Sequence, residues 1–148
     1  MRGFTLVEFL LVVLLLGLLA GGIVPRFSPS PLGVDAAARK VRADLQYARS
    51  LAMTRGVLHG IEFTAAGPYI LYEQSVATPV EDPFKRTPFS EGLSAFGRSQ
   101  VTSSLRVEFD AWGRPVVGGG AALTVSNGSF SRVLTVSPET GYVVIGGP

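Results

Sequence analysis

From Phe4 to Val24 the chain runs through 21 residues in which Glu8 is the one ionisable side chain. Coiled at about 1.5 Å per residue, this stretch is roughly 31 Å long and matches a hydrocarbon core about 30 Å thick. The segment is therefore expected to span a bilayer. A carboxylate inside such a span is costly, so Glu8 is expected to be partnered or functional. With that helix taken out, the 148 residues leave room for one further core of modest size, and residues beyond Pro25 alternate polar and apolar in a globular manner.

A cleaved secretory signal is the first competing account, because Arg2 supplies a positive flank and the apolar run a hydrophobic core. The fit is poor. The run exceeds the usual length of about 7 to 15 residues, and Ala20-Gly21-Gly22-Ile23 is a loose version of the small-residue cleavage pattern. A plain signal anchor fits the length and leaves Glu8 unexplained.

The motif Gly3-Phe4-Thr5-Leu6-Val7-Glu8 followed by an apolar run resembles the class III signal of type IV pilins and type II secretion pseudopilins. That resemblance implies cleavage between Gly3 and Phe4 by a prepilin peptidase on the cytoplasmic side, N-methylation of Phe4, and retention of the apolar helix. It assigns Glu8 to assembly, facing the amine of Phe4 on the same or a neighbouring subunit, and matches Pro25 to a proline that kinks the family's helix. Two unit charges about 4 Å apart attract by roughly 4 kcal/mol at an effective dielectric near 20. The implied partners are the peptidase, other pilin or pseudopilin subunits, an inner-membrane assembly platform and membrane lipid.

The rest of the chain divides by composition. Residues 1–3 are the implied leader, 4–24 the membrane or filament-core helix, and 25–33 a proline-rich neck holding Pro25, Pro29 and Pro31. Gly17, Gly21 and Gly22 mark the second half of the first helix either as a place where it stretches or as a close-packing surface. Residues 34–55 carry Val34, Ala38, Val41, Leu45, Ala48 and Ala52 at spacings of three and four, which predicts an amphipathic helix capped by Asp35 and stopped at Gly56. Residues 56–148 shift toward a period of two.

Strands are expected around Ile61 and Phe63, over Tyr69 to Tyr72, Leu105 to Phe109, Leu123 to Ser126, Arg132 to Val136 and Tyr142 to Ile145. Asn127-Gly128 is a strong hairpin signal, and Gly118-Gly119-Gly120 reads as another hairpin connection. Residues 75–100 read mostly as loop, with a short strand near Phe89. The fold class is α+β, a helix followed by a β-rich head.

A second resemblance narrows the family. Asp35-Ala36-Ala37-Ala38-Arg39 and Tyr47-Ala48-Arg49-Ser50-Leu51-Ala52, then Val57, Val107-Glu108-Phe109-Asp110-Ala111-Trp112-Gly113-Arg114-Pro115 and Thr140-Gly141-Tyr142-Val143, look like the GspH/FimT type of minor pseudopilin. It implies a head of two antiparallel sheets beside the helix, and a place in a type II secretion pseudopilus or a type IV pilus, with the head in the periplasm. One branch of that family serves DNA uptake, which would require head arginines such as Arg114 and Arg132 to converge with Arg98 or Arg106.

Charge argues against reading the whole chain as a nucleic-acid binder. Between Val34 and Arg55 five cations face two carboxylates, whereas beyond Gly56 six cations face eight. The high isoelectric point belongs to the helix, and phosphate neutralisation by the head has little to draw on. With no cysteine, disulfides and thiolate metal sites are excluded.

No catalytic residue, metal or cofactor is expected. His59 is the single histidine and has no nucleophile elbow to serve, so it reads as structural or surface. Glu108 and Asp110 share a strand face but adjoin a turn, which reads as solvated. Trp112, the single tryptophan, sits at that turn either as a core plug or as an exposed partner contact.

Overall fold

The computed structural model describes residues 6–22 and 31–147. Helix α1 (Leu6–Gly22) is 17 residues long and apolar on every side. It is about 25 Å long. Among the described residues no helix is long and apolar enough to cross a membrane. Phe4, Thr5, Ile23 and Val24 of the expected span lie outside the described residues, as do Gly3 and Pro25.

Helix α2 (Pro31–Arg55) has 25 residues and begins three residues earlier than the apolar spacing predicts. The reason is local. A proline in the first turn gives up an amide that has no intrahelical partner there, and its fixed φ suits the helix. Asp35 therefore lies inside the helix and does not cap it; its carboxylate instead takes Arg132 Nε at 2.7 Å. All six predicted apolar positions are buried, joined by Ala37 and Asp44. The helix ends at Gly56, whose amide bonds to Ala52 O at 3.0 Å.

Among the described residues nine strands follow in two antiparallel sheets. The first holds β1 (His59–Phe63), β2 (Tyr69–Glu73), β3 (Ser90–Glu91), β5 (Leu105–Phe109) and β6 (Pro115–Val117), in the order β3-β2-β1-β5-β6. The second holds β4 (Gln100–Val101), β7 (Ala122–Ser126), β8 (Ser131–Val136) and β9 (Val143–Gly146), in the order β4-β7-β8-β9. This is the expected α+β head of two antiparallel sheets.

The periodicity is visible in the packing. Ile61 and Phe63 of β1, Val107 and Phe109 of β5, Leu123 and Val125 of β7, and Leu134 and Val136 of β8 are buried, meeting Val34, Val41 and Leu45 of α2 in one core. Each fully buried aliphatic side chain of this size contributes about 1.5–3 kcal/mol. On the other face Glu62 and Arg106 stand opposite each other in register and pair at 2.7 Å.

One expectation changes. The glycine triplet is not a hairpin: β6 pairs with β5 and β7 with β8, so residues 118–120 carry the chain from one sheet to the other. Gly118, at φ 75°, runs so close to β5 that a Cβ would lie 2.5 Å from Arg106 O. Segment 75–100 is ordered by burial more than by strands. Val80, Phe89 and Leu93 enter the core, and buried Asp82 accepts the amides of Phe84 and Lys85 at 2.8 and 3.1 Å. The Lys85 and Phe84 amides hold the Asp82 carboxyl below its usual range.

Candidate functional site

Candidate functional residues fall on three separate surfaces. Glu8 lies in the first turn of α1, where a carboxylate suits the positive end of the helix dipole. Its side chain is exposed, as are the apolar side chains from Leu6 to Leu16 around it. Such a helix presents an apolar surface in every direction, with one acid near its start.

The second surface is the turn between β5 and β6. Asp110 Oδ1 accepts the amides of Trp112 and Arg114 at 2.9 and 2.8 Å, while the backbone of Asp110 and Gly113 closes the turn at 2.9 Å. Asp110 is thus a structural acceptor, and Glu108 is occupied by the hydroxyl of Tyr72 at 2.7 Å. Burial and that carboxylate push the Tyr72 phenol upward.

Arg49 of α2 donates from Nε to Gly113 O at 2.9 Å and pins the turn to the helix. Gly141, in the β8–β9 turn, packs on the same carbonyl: a Cβ there would lie 2.6 Å from Gly113 O and 2.9 Å from the Phe109 ring. Helix and both sheets therefore meet at Gly113. This clamp holds Trp112 outward, 79 % exposed, so the core-plug reading is corrected. Met53, Val116 and Val117 are exposed beside the same turn and its strand. An exposed tryptophan on a locked turn costs little ordering entropy on binding and is a natural interface anchor.

Arg114 shares that turn and is exposed, but Arg132 does not join it. Arg132 is held by Asp35, which lies 14 residues from Arg49 along α2 and so about 21 Å away. Arg106 is held by Glu62. Arg114 and Arg132 therefore lie on separate parts of the head.

The third surface was not legible in the sequence. Lys40, Ala43, Asp44 and Tyr47 of α2 face Phe84, Lys85, Phe89 and Glu91 across a groove of about 550 Å³. Inside it Lys40 Nζ donates to both Asp44 carboxylate oxygens, at 2.7 and 2.8 Å, and lies 5.5 Å from the Phe89 ring centroid. The buried hydroxyl of Tyr69 donates to Asp44; burial, then the Asp44 charge, push that phenol far upward. The acid at helix position 44 was the available signal, since a carboxylate between Val41 and Leu45 on an apolar face requires a donor from elsewhere.

His59 completes the accounting. It is fully buried, with Nδ1 2.9 Å from Val57 O. Its Nε2 lies 3.2 Å from Glu73 Oε2, though misaligned for a hydrogen bond. Arg55 also holds Glu73, at 2.7 Å, and that bond is the main reason the Glu73 carboxyl is lowered. The group ties the end of α2 to β1 and β2 and is structural.

Comparison with known proteins gives one consistent assignment. The profile of the family described as type II transport protein GspH matches residues 37–141. Pilin-like protein PilA1 of Thermus thermophilus is 33 % identical over 147 residues, covering 93 % of this chain and 94 % of that protein. Two crystal structures of the type IV minor pilin FimU of Pseudomonas aeruginosa share the fold. They have TM-scores of 0.56 and 0.54 at 18 % and 19 % identity, over 76 % of this chain and 91 % and 87 % of theirs. The matched profile covers α2 from Ala37 onward and all but the last of the strands described above, and the chain belongs to the GspH family as a type IV pilin-like minor pseudopilin.

Proposed function

We propose that the chain is exported, cut by a prepilin peptidase between Gly3 and Phe4, N-methylated at Phe4, anchored through residues 4–24, and then drawn into a type II secretion pseudopilus or type IV pilus. Its activity is assembly. The carrying observation is the pairing, in one chain, of an all-round apolar α1 bearing Glu8 in its first turn with a GspH-type head. An acid there is unfavourable in lipid and becomes favourable once it meets the Phe4 amine of a neighbour, so leaving the membrane for the filament is driven partly by charge. The head supplies the second contact through Trp112 and its apolar neighbours.

Glu8→Ala tests the first part. The variant is expected to remain in the membrane fraction and to be absent from sheared filaments; normal incorporation would overturn the role given to Glu8. Trp112→Ala tests the second, with an unchanged unfolding transition and weakened co-purification with neighbouring subunits.

A further inference from the structure

The first turn of α2 marks one end of the head. Segment 92–100 packs there, since a Cβ on Gly33 would lie 3.1 Å from Gly97 Cα and from Phe96 O. Arg132 is tied to Asp35 at the same end, and the β7–β8 turn follows because Ser126 pairs with Gln100. The chain reaches this end from α1. Gly22 and Pro31 are nine residue steps apart, so a fully extended link reaches about 32 Å at most. On the reading that α1 is a membrane anchor, this is the end of the head within reach of the lipid headgroups.

A cavity of about 350 Å³ opens at that end. One wall is Ala66, Gly67 and Pro68 of the β1–β2 turn, and the other runs from Gly92 to Gln100. The walls are joined where the Ala66 amide bonds to Val101 O at 2.9 Å. Its polar members include Ser94, Arg98 and Gln100.

Charge at this end is unbalanced in one place. The carboxylates of Asp35 and Glu62 are taken by Arg132 and Arg106 at 2.7 Å each, and Glu91 is taken by Lys85. Among the described residues Arg98 has no carboxylate, and its side chain is exposed in the cavity. Its backbone lies at φ 60°, a conformation disfavoured for a residue with a Cβ. It is held there by the bond from its amide to Ser94 O at 2.9 Å. Leu32, 76 % exposed on the first turn of α2, and Phe130 on the β7–β8 turn add apolar surface at the same end.

We propose that this cavity binds the phosphate of an anionic membrane phospholipid while the subunit waits in the bilayer. This rests on the anchoring reading above. The Arg98 guanidinium forks onto the phosphate oxygens, with the Gln100 amide and Ser94 hydroxyl as further donors. Leu32 and Phe130 meet the acyl boundary beside it. The head is thereby held against the membrane in one orientation and is released when the subunit is extracted.

The experiment is amide hydrogen exchange on the full chain in two nanodiscs, one rich in phosphatidylglycerol and one of phosphatidylcholine alone. Exchange over residues 64–68 and 92–100 is expected to slow about fivefold in the anionic disc. Arg98→Gln should remove the effect, whereas Arg86→Gln, an exposed arginine away from the cavity, should preserve it. Equal protection in both discs, or an unchanged response in Arg98→Gln, overturns the site alone. So does protection by inorganic phosphate in detergent with none from the anionic disc. A chain that enters neither disc overturns the anchor and the site together.

Discussion

Gly141→Ala measures how strongly the two sheets are joined at the Trp112 turn. Gly141 sits at φ 67°, and the added Cβ would lie 2.6 Å from Gly113 O and 2.9 Å from the Phe109 ring. The cost has two parts. A left-handed backbone is disfavoured by about 1–2 kcal/mol for a residue with a Cβ. Crowding adds about 1–3 kcal/mol, because the obstacles are a backbone carbonyl and a fully buried ring, and neither is the loose end of a flexible side chain. The expected total is about 2–5 kcal/mol. Gly56→Ala isolates the first part, since Gly56 has the same φ of 67° with nothing within 4 Å of its Cβ position.

Urea unfolding of both variants in detergent, followed by tryptophan fluorescence, reads the difference. At a slope of about 1–3 kcal/mol per molar, Gly141→Ala should unfold at a midpoint lower than that of Gly56→Ala by roughly 1 M. Its single tryptophan should also tumble more freely before unfolding, because Gly113 O is the acceptor that Arg49 uses to pin the turn. Agreement of the two variants within about 0.5 kcal/mol would refute the claim that the turns are packed against each other.

Three further outcomes follow from the same geometry. Tyr69 and Tyr72 both have raised phenols. Below about pH 10 the folded and unfolded chains alike keep these protons, and above it only the folded chain does, so stability should fall by up to about 1.4 kcal/mol per pH unit for each. Tyr69→Phe should lower that alkaline slope, checked by urea midpoints between about pH 9.5 and 11. Asp110→Ala removes the acceptor for two amides and should cost about 1–2 kcal/mol while raising the steady-state mobility of Trp112, read by fluorescence anisotropy. Leu45→Ala, in the buried stripe of α2, should cost about 2–5 kcal/mol, whereas Leu32→Ala, on the exposed first turn, should stay within about 0.5 kcal/mol. Thermal melts of the two separate burial from mere apolarity.

Local patterns carried most of the fold. The three- and four-residue spacing from Val34 to Ala52 marks the buried stripe of α2, and alternation in Leu123 to Ser126 and Arg132 to Val136 marks β7 and β8 around Asn127-Gly128. What the sequence hid was decided by residues far apart in it. Strands β4 and β6 have two and three residues, too few to show a period, and exist because β7 and β5 offer them an edge. Asp35 reads as a cap until Arg132, almost a hundred residues on, supplies its partner. The groove beside Tyr47 depends on Phe84 and Phe89 from the segment with least periodicity.

The site shows the same division. Phe109 to Gly113 and Thr140-Gly141 are each weak as motifs, since many hairpins look alike. In three dimensions they are one contact: Gly141 has no side chain because Gly113 O and the Phe109 ring occupy that space, and Gly113 keeps its carbonyl there because Arg49 and Asp110 hold the turn. Neither motif could drift without the other. A pattern of widely spaced residues that all meet around one helix is therefore more specific than any of its parts, and what it specifies is the outward position of Trp112. A clamp built from a helix and both sheets is more than a surface turn needs for its own stability, and a partner that presses on Trp112 is what would make such rigidity useful.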